Sequence, residues 1–393
     1  MINGWKRKPL SEVATFYSGG TPSKSNPAFW NGDIPWITVR DMKSIRLVES
    51  TLTVTKQGAS QLRTMPPHTI YVLVRGMGLF RDLPVLLCDR EATFNQDIKA
   101  IVPNKGVDPE FLAFNIVARK SAILRLVDRA GHGTGRLDTD LLKSVPVPIP
   151  PVPTQRKIAA ILRTWDGAIE NFSRLSELRE KQYLGLRNHL IDWSKNQHPV
   201  KEFMKPVSRP VPKPTSVYRA LSIRSHGKGT FDRFVENPES VEMDTLYVAK
   251  SGDIIVNITF AWEGAVALVP PDHDGCLVSH RFPTFVPKLE KVDARYLRHA
   301  LRMARFTYLL GTVSPGGAGR NRVLSKSNFL DLMVPLPPLD LQRRVATILD
   351  DAEKAIAIEE EYLSALNRQK RGLMQKLLTG EWKVEAVGDK ESD

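Results

Sequence analysis

The sequence holds only two cysteines, Cys88 and Cys276, among 393 residues. Two thiols cannot build a disulfide framework or a zinc constellation. Both are expected as small apolar residues of a protein kept in a reducing cytoplasm. No uninterrupted apolar run approaches the ~20 residues of a membrane span. Met1 to Ser11 has no apolar signal core. A soluble, cytosolic protein is expected. A Gly-x4-Gly-Lys-Ser/Thr loop is also missing, which excludes that route to nucleotide hydrolysis. The eight histidines are scattered without ligand spacing. His132, His226 and His280 read as polar loop or strand residues, not as catalytic bases. Acidic residues are in deficit: 43 Asp and Glu against 56 Lys and Arg, a net charge of +13. With a pI near 9.7, that balance favours a polyanionic partner, most often nucleic acid.

What the sequence does have is a duplication. Pro148 to Leu162 reads PIPPVPTQRKIAAIL, and 187 residues later Pro335 to Leu349 reads PLPPLDLQRRVATIL. A long self-similar period signals repeated architecture. Each copy passes from a proline ramp into a long helical pattern, so the chain reads globule, helix, globule, helix. Alternating proline removes ladder donors, so each ramp is an edge strand or polyproline segment.

Residues 1–147 form the first expected globule, of mixed α/β type. Asp33 to Val39, Ile70 to Val74, Pro84 to Leu87 and Ile98 to Val102 have strand length and composition. Asp108, Pro109 and Glu110 open a helix as cap, first residue and first-turn acid, and its apolar residues run to about Val127. Asp138 caps a single turn. Residues 148–197 hold the first ramp and a helix whose apolar residues recur at three- and four-residue steps. The expected seam includes Ile158, Ile161, Trp165, Ile169 and Phe172, the narrow stripe of a coiled coil. From Thr154 to Ile191 it would span roughly 57 Å.

Trp193 to Pro214 is polar and proline-rich and reads as a connector. Residues 198–334 repeat the plan. Asp253 to Ile258 and Ala265 to Val269 are strand candidates, Asp293 caps a helix that extends to Leu309, and Ser325 caps a turn. Residues 335–384 carry the second ramp and helix, with Val345, Ile348, Ala352, Ile356 and Leu366 on the seam and Gly380 as its stop. Residues 385–393 read as a disordered polar tail. Helices this long need a partner for their apolar face, and two of matched length most simply pair with each other. The other packing docks each helix on its own globule.

Catalytic signals are weak. Asp82, Asp97 and Lys99 fit the acidic-x-lysine pattern of magnesium nucleases, but the second globule has Ser279 to Phe282 there, with no matching acid. Asn26-Pro27-Ala28-Phe29 is similar to the base-holding turn of adenine methyltransferases, without its second proline and without a glycine-rich cofactor loop. A surface turn accounts for it. Besides a nuclease, a coiled-coil scaffold indifferent to nucleic acid is the remaining alternative.

The ramp, Gly20-Thr21-Pro22-Ser23, Trp30 to Ile37 and Leu377-Leu378-Thr379-Gly380 together resemble the specificity subunit of type I restriction-modification systems, over essentially the whole chain. Thr154 and Leu341 stand where that family usually has Glu. The resemblance implies an α/β (α+β) fold with an internal pseudo-two-fold repeat. Two target-recognition globules with mixed twisted sheets would be joined by two long antiparallel helices, a coiled-coil spacer. It further implies a chain without catalysis that reads a bipartite, asymmetric site on double-stranded DNA. Such a chain recruits two adenine-methyltransferase (modification) subunits and the ATP-dependent restriction subunits. On that footing it sits in a prokaryotic cytoplasm and binds no cofactor itself. S-adenosylmethionine, ATP and magnesium belong to its partners.

Lys and Arg neutralise phosphates, while Arg, Asn, Gln, Ser and Thr on loops read base edges. The candidates in the first globule are Thr21, Ser23, Lys24, Arg40, Arg75, Arg81, Gln96 and Arg136. In the second they are Arg224, His226, Lys228, Arg233, Asn257, Arg320, Asn321 and Arg322. Arg156, Lys157, Arg343 and Arg344 open the long helices, against the helix dipole, which suggests contact with a partner or with DNA.

Overall fold

In the computed structural model, residues 5–129, 133–314, 316 and 322–384 are described. The chain divides into two compact units, Met1–Ser173 with Tyr362–Asp393, and Arg174–Glu361. The unit boundaries therefore cut through both long helices, Val152–Leu190 and Leu339–Thr379.

The first unit is built on a four-stranded antiparallel sheet in the order Ala14–Ser18, Ile98–Pro103, Thr69–Leu73, Val85–Cys88. The second unit repeats it as Met204–Val207, Thr284–Pro287, Ile254–Val256, Val266–Leu268. Each ramp is one strand of a two-stranded antiparallel pair. Pro146–Ile149 pairs with Lys6–Pro9, and Met333–Pro335 with Gln197–Pro199. Two-stranded pairing suits a proline-rich strand, because only one side of the ladder needs donors.

The units differ in what they add to this frame. The first carries a three-stranded sheet with Trp30–Ile37 between Thr53–Val54 and Thr93–Phe94, and a ribbon of Val127–Arg129, Gly135–Leu137 and Arg75–Gly76. The second carries one five-stranded sheet in the order Pro210–Pro212, Thr245–Val248, Leu277–Val278, Tyr218–Ile223, Thr230–Val235. The segment read as a connector, Trp193 to Pro214, therefore contains three strands and the short helix Val200–Phe203. Its prolines sit where ladder donors are not needed, so composition alone gave no sign of pairing.

The expected caps form. Asp108 accepts from the Phe111 N–H, Asp138 from Asp140 and Leu141, Asp293 from Arg295 and Tyr296, and Ser325 from Asn328. The Asp108 helix stops at Ala118, short of Val127, and the Asp293 helix stops at Leu301 before a second helix begins at Ala304. At the first break Arg119 leaves helical geometry, and its guanidinium donates to the Asn115 and Pro146 carbonyls. Gly380, at φ +76°, takes the left-handed position that ends the second long helix.

Within each unit the portions of the two long helices pack on each other and on that unit's own core, so pairing and docking, expected as alternatives, occur together. In the first unit Ile158, Ala159 and Leu162 bury against Met374, Leu377 and Leu378, with Phe111 and Phe114 closing the cluster. In the second, Tyr183 and Ile191 share a core with Val345, Ala346 and Leu349 and with Tyr296 and Leu297. Antiparallel direction is explicit within each unit: Asp166 pairs with Lys370 and Phe172 packs on Tyr362, then Arg179 pairs with Glu359 and Tyr183 bonds Glu353.

The seam is less apolar than its spacing implied. Ile158 and Val345 are buried. Ile161, Trp165, Ile169, Phe172, Ala352, Ile356 and Leu366 are half-buried. Ile348 is 46% exposed and does not lie on the seam. Ion pairs occupy the helix–helix contact where a continuous apolar stripe was expected. Residues 385–393, read as a tail, lie outside the described residues. No helix among the described residues is long and apolar enough to cross a membrane.

Candidate nucleic-acid interface

In the first unit, the loop after Ala14–Ser18 and the loop before Ile98–Pro103 meet. The Thr21 hydroxyl donates to Gln96 Oε1 at 2.7 Å, so these two candidates stand together. Gly19 permits the approach, because a Cβ there would lie 2.4 Å from the Phe94 and Asn95 carbonyl oxygens. Two indoles brace the loop: Trp36 donates to the Gly20 carbonyl at 2.9 Å and Trp30 to that of Ser23 at 3.1 Å. Ser23 and Ser25 share a hydroxyl–hydroxyl bond, and Lys24 is exposed beside them. Arg40 is exposed on the short turn Val39–Asp41.

Arg75 and Arg136 are directly opposed on adjacent antiparallel strands, and both side chains are exposed. Like charges across a ladder are unfavourable unless an anion lies over them. Arg81 is exposed at the end of the turn Met77–Phe80. Sequence reasoning missed Arg129, on the neighbouring strand, whose guanidinium carbon lies 5.5 Å from the Phe80 ring centroid. The aromatic two residues after Gly78 was the available signal.

In the second unit, Arg224, His226 and Lys228 lie in and beside the turn joining the strands Tyr218–Ile223 and Thr230–Val235. His226 and Gly227 both take left-handed backbone, φ +62° and +64°, and the His226 N–H donates to the Glu263 carbonyl at 2.7 Å. Arg224 lies 4.8 Å over the Phe231 ring and donates to the Thr230 carbonyl. Arg233 is exposed on the outer strand. Asn257 serves the fold: its side-chain oxygen accepts the Thr259 N–H at 3.1 Å and shapes the turn. Arg322 lies 5.3 Å over the Trp262 ring. Arg320 and Asn321 fall outside the described residues. Trp262, Tyr308 and Arg305 were not singled out from the sequence, because only the fold brings them to Arg322.

The nuclease pattern is dispersed into other bonds. Asp82 is ion-paired with Lys120, and the Lys99 amine donates to the Ser18 hydroxyl at 2.5 Å. Asn26 caps the turn Pro27–Phe29, as a plain surface turn would. Among the described residues, His299, Asp350 and Glu353 are the group of His, Cys, Asp or Glu whose ligand atoms converge. Arg298 and Arg302 already hold those carboxylates, and Tyr183 bonds His299 Nδ1 at 3.1 Å. The group is a buried ion network, a poor match to a metal centre. Burial, and then Arg298, depress the His299 pKa, against the pull of Asp350.

Comparison with known proteins agrees with this frame. The family model described as Type I restriction modification DNA specificity domain matches residues 2–180 and 232–368. The chain belongs to that family. A type I restriction enzyme specificity subunit of Escherichia coli is 34% identical over 195 residues, 48% of this chain and 48% of that protein. The MjaIX specificity subunit of Methanocaldococcus jannaschii is 29% identical over 222 residues, 55% of this chain and 50% of that protein. The chain thus spans about half the length of these two relatives; with the MjaVIII specificity subunit of the same organism, 22% identity extends over 73% of both chains. The fold is that of a type I restriction-modification S subunit from M. genitalium, with TM-score 0.54, 16% identity and 96% of each chain covered. A chain from a study of complex assembly and conformational transition of the type I R-M system matches with TM-score 0.58 and 16% identity, over 97% of this chain and 100% of that one.

Proposed function

We propose that this chain is the DNA-reading specificity subunit of a type I restriction-modification system, each unit reading one half of a bipartite, asymmetric target. The observation that carries the proposal is the contrast between the repeats. The four-stranded sheet, ramp pairing and helix caps recur, whereas the added sheets differ in strand number and order. A shared frame with unlike loops suits two unlike DNA words. The net charge of +13 and the opposed Arg75 and Arg136 suit phosphate contact.

On this proposal the two long helices set the gap between the half-sites, much as dimer geometry sets spacing for palindrome readers. The chain performs no covalent step and holds no cofactor. Two modification subunits supply adenine methylation with S-adenosylmethionine, and restriction subunits supply ATP- and magnesium-dependent cleavage, all in a prokaryotic cytoplasm. Methylation mapping of host DNA with and without this gene tests the proposal. A single two-part adenine-methylated motif with a fixed gap, lost on deletion, is expected; unchanged methylation overturns it.

A further inference from the structure

Both units place an aromatic ring with an arginine beside it on the same short turn, exposed at Phe80 and half-buried at Trp262. In the first unit the central strand Thr69–Leu73 runs through Arg75–Gly76 into the turn Met77–Phe80. Leu79 anchors that turn at 1% exposure, while Met77 and Phe80 stand 70% and 43% exposed. Arg129 covers the Phe80 ring at 5.5 Å. In the second unit the central strand Ile254–Val256 leads into the turn Ala261–Glu263. Ala261 is the buried anchor. The Trp262 indole N–H donates to the Thr259 carbonyl at 3.2 Å, which fixes the ring, and Arg322 covers it at 5.3 Å.

The two turns are equivalent by bonding as well as by order. The Leu137 N–H donates to the Val74 carbonyl at 2.8 Å, and the Leu324 N–H to the Ile258 carbonyl at 3.0 Å. Each bond ties the segment near the covering arginine to the end of the central strand. Beside Trp262, Tyr308 is 62% exposed and has Arg305 at 5.4 Å. Trp262, Thr307, Tyr308, Gly311, Thr312 and Arg322 line an open groove of about 470 Å³.

Leaving Phe80 and Tyr308 exposed forfeits the free energy of burying them, and the half-buried Trp262 keeps part of its ring open to the groove. A π face flanked by guanidinium groups matches a nucleobase with its neighbouring phosphate. We propose that Phe80 and Trp262 are base-stacking residues, each pressing its ring on a base of its own half-site and disturbing the local stack while Arg129 and Arg322 meet the adjoining phosphates. The proposal rests on the DNA-reading function above and adds what that function leaves open, a stacking residue for each half.

Duplexes carrying the mapped target, with 2-aminopurine placed singly along each half-site, test it with the full chain. A several-fold fluorescence rise is expected at one position in each half. Phe80→Ala removes the rise in one half only, and Trp262→Ala in the other. Each lowers affinity about ten- to a hundred-fold and leaves the salt dependence unchanged. Phe80→Trp and Trp262→Phe keep the signal. Phe80→Leu and Trp262→Leu, which hold apolar bulk without a π face, lose it even if an alanine variant folds poorly. Tight, salt-dependent binding with no rise in either half, or with the rise intact in the leucine variants, overturns the stacking role and leaves the DNA-reading function standing. Binding by the unaltered chain that ignores salt overturns both.

Discussion

Gln155 accepts the backbone N–H of Asp108 at 2.8 Å, at the point where the first ramp becomes a helix. Its amide also donates to the carbonyls of Gly106 and Pro150. Gln342 makes the matching bonds, to the Asp293 N–H at 2.9 Å and to the carbonyls of Lys291 and Pro337. Both side chains are completely buried. The duplicated Gln of the ramp thus fastens each long helix to the cap of a helix in its own unit.

Replacing either glutamine with leucine leaves one half-buried cap N–H without its acceptor and two carbonyls without their donor. Gln155→Leu and Gln342→Leu are each expected to cost about 2 kcal/mol, since half-buried groups left unpaired incur part of their desolvation penalty. Urea denaturation checks this. The two losses should add, because the latches share no partner. A loss near zero for either variant would show that its latch is dispensable.

His299 should make stability sensitive to mild acid. Burial and Arg298 hold its pKa below the ordinary 6.5, so near that value the unfolded chain binds more protons than the folded one. Stability therefore rises with pH through this window, is fully present above about 6.5, and is lost as pH falls below it. Asp350 acts in the same direction at lower pH: burial opposes its ionisation, but hydrogen bonds from His299 and Arg298 keep its pKa below the usual value. The first unit has Phe114 at the corresponding place after its capping aspartate. His299→Phe should lower the melting temperature at neutral pH and flatten its fall between about pH 7.5 and about 5.5. Parallel falls in variant and parent would rule out His299 as the titrating group.

Asp166 and Lys370 form an ion pair across the two long helices in the first unit, with side chains 29% and 15% exposed. Asp166→Leu leaves an uncompensated, largely buried ammonium and should cost about 2 kcal/mol or more. The double variant Asp166→Leu, Lys370→Leu should recover most of that, as an apolar pair replaces an ionic one. A thermal-melt double-mutant cycle separates the pair from its parts. Additive losses would mean the two residues do not interact.

Arg75 and Arg136, opposed on the ribbon, should each neutralise one phosphate. Alanine at either position should weaken binding to any DNA sequence and lower the log–log salt slope by about 1. Titrations across a salt series measure it. An unchanged slope would remove the ribbon from the interface.

The local chemistry of this chain was legible in its sequence. The duplicated ramp marked two ramp strands and two helices. The caps Asp108, Asp138, Asp293 and Ser325 and the stop at Gly380 form as expected, because a cap bonds groups two or three residues away. The low cysteine count and the positive charge were likewise read directly.

Other features depended on residues distant along the chain. The strands hidden in Trp193 to Pro214 pair with Thr245–Val248, Thr284–Pro287 and Met333–Pro335, and proline-rich composition could not announce those partners. The helix after Asp108 had apolar residues enough to continue, but it breaks at Arg119, whose guanidinium bonds the Pro146 carbonyl of the ramp strand, and resumes as the short helix Lys120–Leu124. Ile348 kept helical spacing yet faces water, because burial follows from what packs opposite and not from period. The rings of Phe80 and Trp262 were inconspicuous until folding carried Arg129 and Arg322 over them. Sequence alone determined each element whose bonds close within a turn of chain; tertiary structure decided the rest, because those bonds join segments that only the folded chain brings within reach.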